Sequence, residues 1–171
     1  MPLWPVVCTP GGLDNSNPQI DRLPVKSLSR LLSPERIIWL QQPGKEDCLR
    51  ALVECIAKTS ALPNPEDVYN AILERERLLS TGFGLGLAIP HAKLRGIRDF
   101  VVALGIHPTG VNFDSLDEKP VHVLVMILGP ESQQEEYLKV LSRVTAFLKD
   151  NRERLVGMQS AKEIFELAFD Y

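Results

Sequence analysis

The chain has 171 residues, 44% of them hydrophobic and 24% charged, with a formal net charge of −3. That is the profile of one globular domain with enough apolar residue to fold without a disulfide or metal staple. It argues against a nucleic-acid binder, which needs a basic face to neutralise phosphates, and no apolar run is long enough to span a bilayer.

Residues 1–28 read differently from the rest. They hold five of the 13 prolines, at positions 2, 5, 10, 18 and 24, and no sustained periodicity. This composition reads as a flexible arm, with a docked segment through Trp4, Val6 and Val7 as the alternative. Residues 29–171 read as one folded domain. The three cysteines, at 8, 48 and 55, are odd in number and suit a reducing, cytoplasmic setting better than a disulfide framework. The Met1–Pro10 stretch has neither the basic start nor the long apolar core of a secretory signal.

Pro34 to Leu40 predicts a short strand, or a turn plus a strand. A helix follows from about Lys45 to Ser60, because Leu49, Leu52, Val53 and Ile56 recur at helical spacing. Cys48 and Cys55, seven residues apart on one side of that helix, read as buried thiols. A second helix opens at Asn64-Pro65-Glu66-Asp67, with an N-cap, a proline suited to the first position and acids at the positive end. It is predicted to run to about Leu79 and to stop at Ser80-Thr81-Gly82.

Strands are predicted over Leu85–Ile89, Phe100–Ile106 and Val121–Leu128. The last is apolar on both alternating faces except at His122, the pattern of a strand covered on both sides. Two capping boxes then mark helix starts, Ser132 with Glu135 and Ser160 with Glu163. Leu138, Leu141, Val144, Thr145 and Leu148 predict the buried face of the first of these helices. Ile164, Phe165 and Ala168 predict that of the last. The fold class expected is α/β, a single-domain sandwich with a mixed sheet flanked by helices.

Glycines alternate at 82, 84 and 86. They do not make a dinucleotide loop, because the third glycine is misplaced and the segment follows a helix instead of a strand. A tight turn or a close backbone approach explains them better. His91 follows Pro90, which predicts a strand end there and a histidine facing solvent. A neutral imidazole is a nucleophile near pH 7 and can carry a phosphoryl group, given a fixed second nitrogen and donors for the oxygens. His107 reads as a turn residue before Pro108 and His122 as a hydrogen-bonded core histidine. The intervals of 16 and 15 residues between the three histidines match no local zinc pattern, so neither metal nor cofactor is expected.

Glu76, Phe83, Gly84, Leu87, Ala88, Ile89, Pro90, His91 and Ala92 fill every constrained position of a known signature. By these residues the chain resembles the fructose/mannitol-type enzyme IIA domains of the bacterial phosphoenolpyruvate-dependent sugar phosphotransferase system. The resemblance covers about residues 31–169 and leans to the nitrogen-regulatory branch. It implies an α/β sandwich and a phosphoryl group accepted on His91 from an HPr-type phosphocarrier. That group would pass to a IIB domain or serve as a signal to a regulatory target. It implies that Arg75 holds phosphoryl oxygens, although Glu74-Arg75-Glu76-Arg77 also reads as a solvated charge run. Many members carry a second histidine at the start of the helix after the closing strand; in this chain that position falls at Tyr137. A tyrosine donates a hydrogen bond but brings no positive charge. The departure leaves a second reading open, a regulatory binding module that keeps the fold without the transfer.

Overall fold

The computed structural model describes residues 27–60 and 62–171. The expected arm therefore lies almost wholly outside the described residues. A single helical turn, α1 (Leu28–Leu31), leads into a 3-10 turn (Pro34–Arg36) and strand β1 (Ile37–Trp39). Helices α2 (Lys45–Thr59) and α3 (Pro65–Leu78) follow, then strands β2 (Gly82–Gly84), β3 (Leu87–Ala88), β4 (His91–Leu94), β5 (Val101–Val111) and β6 (Val121–Pro130). The chain closes with α4 (Gln134–Gly157), α5 (Ala161–Leu167) and a second 3-10 turn (Ala168–Asp170).

Among the described residues the strands make one six-stranded sheet, ordered β1-β5-β6-β3-β2, with β4 also on β6. β5 and β6 are antiparallel, whereas β1 on β5 and both β3 and β4 on β6 are parallel. The sheet is mixed, as expected. The alternation along β6 explains the two covered faces. Val123, Val125 and Ile127 join the core beneath α4 and α5, while Leu124, Met126 and Leu128 join the core beneath α2 and α3.

The predicted helix stripe of α2 is buried as a set, Leu49, Leu52, Val53 and Ile56, with Cys48 and Cys55 beside it. Burial pushes the Cys48 thiol up to about 11, which leaves it protonated and inert at neutral pH. Asn64 caps α3 by accepting the Glu66 amide at 3.2 Å. Ser160 likewise accepts the Glu163 amide at the start of α5.

Several details differ from expectation. α3 ends one residue early, and Leu79 is exposed instead of buried. The cap of α4 is Gln133, not Ser132, because Gln133 still turns back onto the Pro130 carbonyl (3.3 Å) and the helix begins only at Gln134. The buried face of α4 is Tyr137, Val140, Val144, Phe147, Leu148, Asn151 and Leu155. Val144 and Leu148 are buried as expected, but Leu138 is 67% exposed and Leu141 and Thr145 are only partly buried, because Tyr137 and Val140 take the sheet-facing positions at that end of the helix.

Strand β3 stops before Pro90 as predicted, but β4 starts at His91 on the same partner strand, so His91 is paired in the sheet and half-buried instead of facing solvent. Leu87 pairs with Val123, Ala88 with Leu124 and His91 with Ile127, a constant register across the proline. Pro90 lacks only a donor; its carbonyl accepts the Ile127 amide at 3.0 Å, so the ladder to β6 survives.

Candidate functional site

The alternating glycines resolve into a hairpin between β2 and β3. Gly84 (φ 94°), Leu85 (φ 60°) and Gly86 (φ 72°) all take left-handed backbone, which glycine adopts without steric cost. A side chain on Gly82 would meet Ser115 Cβ at 2.9 Å, so a close approach explains that position as well. The hairpin delivers the chain to Ile89, Pro90 and His91.

His91 is half-buried, and its Nδ1 lies 2.7 Å from the Ile89 carbonyl oxygen. A carbonyl can only accept, so Nδ1 carries the hydrogen and Nε2 keeps the lone pair. Burial is the largest influence on the ring and lowers its pKa from the ordinary 6.5. The Ile89 carbonyl and Glu76 push the other way, while Arg75 and Lys93 add to the lowering. The ring is therefore neutral at pH 7, fixed in one tautomer, with a free nitrogen to offer.

A cleft of about 540 Å³ opens around it, between α3 and α4 at the sheet edge. Arg75, Lys93, Tyr137, Leu138 and Leu141 share its walls with His91. Arg75 reaches this place because the last turn of α3 leans over β4, and its Nη1 donates to the Leu79 carbonyl at 3.1 Å. The charge run is thus not only a solvated face. Tyr137 is 3% exposed, with its ring centroid 6.1 Å from that of His91 and 5.9 Å from that of Phe100. Its hydroxyl is buried with no hydrogen-bond partner among the described residues. Burial raises its pKa, so the group stays a protonated donor.

All three residues expected at the site, His91, Arg75 and Tyr137, thus meet in one cleft. Lys93 is the addition. Its Nζ lies 5.2 Å from the Tyr137 ring centroid and also donates to Gln134 Oε1. Strand periodicity would place residue 93 on the face of residue 91, but only if the strand runs past Pro90. The other two histidines stay outside the cleft. His107 is buried within β5 instead of sitting in a turn, with Nε2 2.9 Å from the Gln42 carbonyl. The strand continues past Ile106 through a register shift, which draws the histidine in. His122 is half-buried with Nδ1 3.1 Å from the His107 carbonyl, in line with a hydrogen-bonded core histidine.

Residues 30–169 match the family described as phosphoenolpyruvate-dependent sugar phosphotransferase system, EIIA 2. The chain belongs to this family. The IIA domain is 33% identical over 147 residues to a nitrogen regulatory protein of Pseudomonas aeruginosa, spanning 84% of this chain and 95% of the relative. Its fold is similar to the crystal structure of the nitrogen regulatory protein IIA-Ntr of Neisseria meningitidis, with a TM-score of 0.77 and 30% identity over 82% of this chain and 98% of that one. It is also similar to enzyme IIA of the mannitol system of Escherichia coli, solved in complex with phosphorylated enzyme IIB (TM-score 0.70, 25% identity, 82% of this chain and 98% of that one). The family supports a phosphocarrier and regulatory role for this IIA domain. No described helix is long and apolar enough to cross a membrane.

The depressed pKa of His91 has a measurable consequence. Followed by NMR, the ring should titrate below 6.5. Between 6.5 and that lower midpoint the unfolded chain binds more protons than the folded one. The stability contributed by the neutral buried ring is therefore lost as the pH falls through this window. A midpoint at or above 6.5 contradicts this.

Proposed function

We propose that this IIA domain accepts a phosphoryl group on His91 from an HPr-type phosphocarrier and passes it on, or signals with it, as a nitrogen or metabolic regulator. The observation that carries the reading is the Nδ1–H bond to Ile89, which presents a neutral Nε2 to the cleft. In this mechanism Nε2 attacks the phosphorus of the donor phosphohistidine in line. The N–P bond to the donor breaks as the bond to Nε2 forms, and the donor imidazole leaves with the electron pair. Arg75 presents its planar fork to the equatorial oxygens and Lys93 adds a second cation. The apolar walls formed by Leu138, Leu141 and Leu78 limit the access of water.

A IIB domain or a regulatory target protein then serves as acceptor. The likeness to a mannitol IIA solved with phosphorylated IIB supports the first, and the likeness to IIA-Ntr supports the second. The test is phosphoryl transfer from phosphoenolpyruvate through enzyme I and HPr, read by intact mass and fragment mapping. One acid-labile phosphate on the His91 peptide supports the reading; no gain with several donors sinks it.

Tyr137 tests the second reading, a binding module without transfer. On the reading that it stands where many members carry a second histidine, it replaces a charge-assisted donor with a neutral one. Tyr137→His should then speed acceptance and lengthen the lifetime of the phosphohistidine. A charge-assisted bond of this kind contributes about 1.5–3 kcal/mol, or roughly 10- to 150-fold in rate. An unlabelled wild type whose Tyr137→His variant takes up phosphate would favour the binding module.

A further inference from the structure

Glu76 opens the signature, yet it does not line the cleft. It is 6% exposed, on the last turn of α3 and turned away from the face that carries Arg75. A carboxylate buried this deeply needs donors, and it has them. Lys45 Nζ lies 2.8 Å from Oε1. The Thr81 amide donates to Oε1 at 2.9 Å, and the Thr81 hydroxyl donates to Oε2. Lys45 is itself held by the Phe113 carbonyl at 3.0 Å and by Asp114 at 3.3 Å.

The contacts continue from there toward His91. The Thr81 carbonyl accepts the Ile89 amide at 3.1 Å, closing the base of the glycine hairpin. The Ile89 carbonyl then accepts His91 Nδ1–H at 2.7 Å. The backbone N–H and C=O of Thr81 are thus both engaged, the first by Glu76 and the second by the residue whose carbonyl selects the His91 tautomer. The glycine-rich turn cannot hold this geometry alone, because glycines at 82, 84 and 86 leave the backbone free to move. The far end of the hairpin has its own tether, the Leu85 amide to Asp117 Oδ2 at 3.0 Å.

We infer that Glu76 is a positioning residue for His91, fixing the Thr81 end of the hairpin so that the Ile89 carbonyl holds the ring with Nε2 toward the cleft. The effect on transfer rests on the reading of His91 as phosphoryl acceptor; the effect on the ring does not. A purely structural ion pair would support stability and leave the tautomer alone.

The experiment uses the full chain and ring-nitrogen NMR of His91 without phosphorylation, followed by single-turnover acceptance from phosphorylated HPr. The wild type should show one dominant Nδ1–H tautomer. Glu76→Gln keeps the shape but has only one acceptor oxygen for these donors, so it should show mixed tautomers and accept roughly tenfold more slowly, the scale expected of sub-ångström misplacement. Thr81→Val removes the hydroxyl contact without touching Glu76 and should move both readouts in the same direction. Val53→Ala, a cavity in the core beneath α2, should lower the melting temperature and leave both unchanged.

A folded Glu76→Gln protein with the wild-type tautomer and rate overturns the inference, as does a Val53→Ala protein that shifts the tautomer equally. If Glu76→Gln does not fold, Thr81→Val decides in the same way. If the wild type takes no phosphate, the acceptor reading fails and the spectra alone still decide whether Glu76 positions the ring.

Discussion

His91→Ala should reduce phosphoryl acceptance to the background seen without a donor, while the melting temperature stays near that of the wild type. The substitution removes the only histidine that lines the cleft among the described residues. His107 and His122 cannot stand in, because neither lines the cleft. Truncating a half-buried ring at a sheet edge leaves a hole that opens to solvent, so the loss of packing is small. Arg75→Ala should give a graded result beside it. On the proposed role of Arg75 in holding the phosphoryl oxygens, losing those charge-assisted bonds should cost about 1.5–3 kcal/mol, a slowing of roughly 10- to 150-fold. Intact-mass time courses with a radiolabelled or unlabelled donor would read both. Undiminished labelling of His91→Ala would overturn the assignment of the acceptor, and an unchanged rate in Arg75→Ala would return that residue to the solvated charge run.

The largest expected effect on stability lies away from the cleft. Phe147 is fully buried on α4 and meets the Tyr171 ring edge-on, with centroids 5.3 Å apart. It belongs to the core beneath α4, with Val123, Val125 and Ile127 of β6. Tyr171 in turn donates from its hydroxyl to Asp150 and accepts from Asn151, and its carbonyl takes the Leu28 amide at 2.6 Å. Phe147→Ala therefore removes a ring that ties α4 to both ends of the described chain. A phenylalanine-to-alanine cavity of this kind costs about 3–5 kcal/mol. For a chain of this size that should lower the midpoint of thermal unfolding by roughly 6–20 °C. Circular dichroism or calorimetry would measure it. A fall of only one or two degrees would mean that the site collapses around the missing ring.

Much of the molecule is written in residue periodicity. The stripe of Leu49, Leu52, Val53 and Ile56 determined α2, the Asn64-Pro65 start determined the opening of α3, and the unbroken apolar run of Val121–Leu128 determined a central strand with both faces covered. Local chemistry of this kind acts within a few residues, so the sequence alone decides it. The signature from Glu76 to Ala92 named the family for the same reason: its residues are neighbours in the chain.

Tertiary structure decided the rest. Pro90 by itself argues for a strand end, and only pairing with β6 starts a second strand in the same register at His91 and turns Lys93 toward it. The stripe of α4 keeps Val144 and Leu148 buried, but the position of the sheet beneath selects Tyr137 and Val140 at its start and leaves Leu138 on the wall of the cleft. Nor does anything local reveal that Glu76 meets Lys45, because those side chains come from two helices 31 positions apart in the chain that meet only through their packing. Periodicity fixes which faces are apolar. Which side chains meet across the faces depends on register and helix placement, and these are set by packing contacts between residues far apart in the chain.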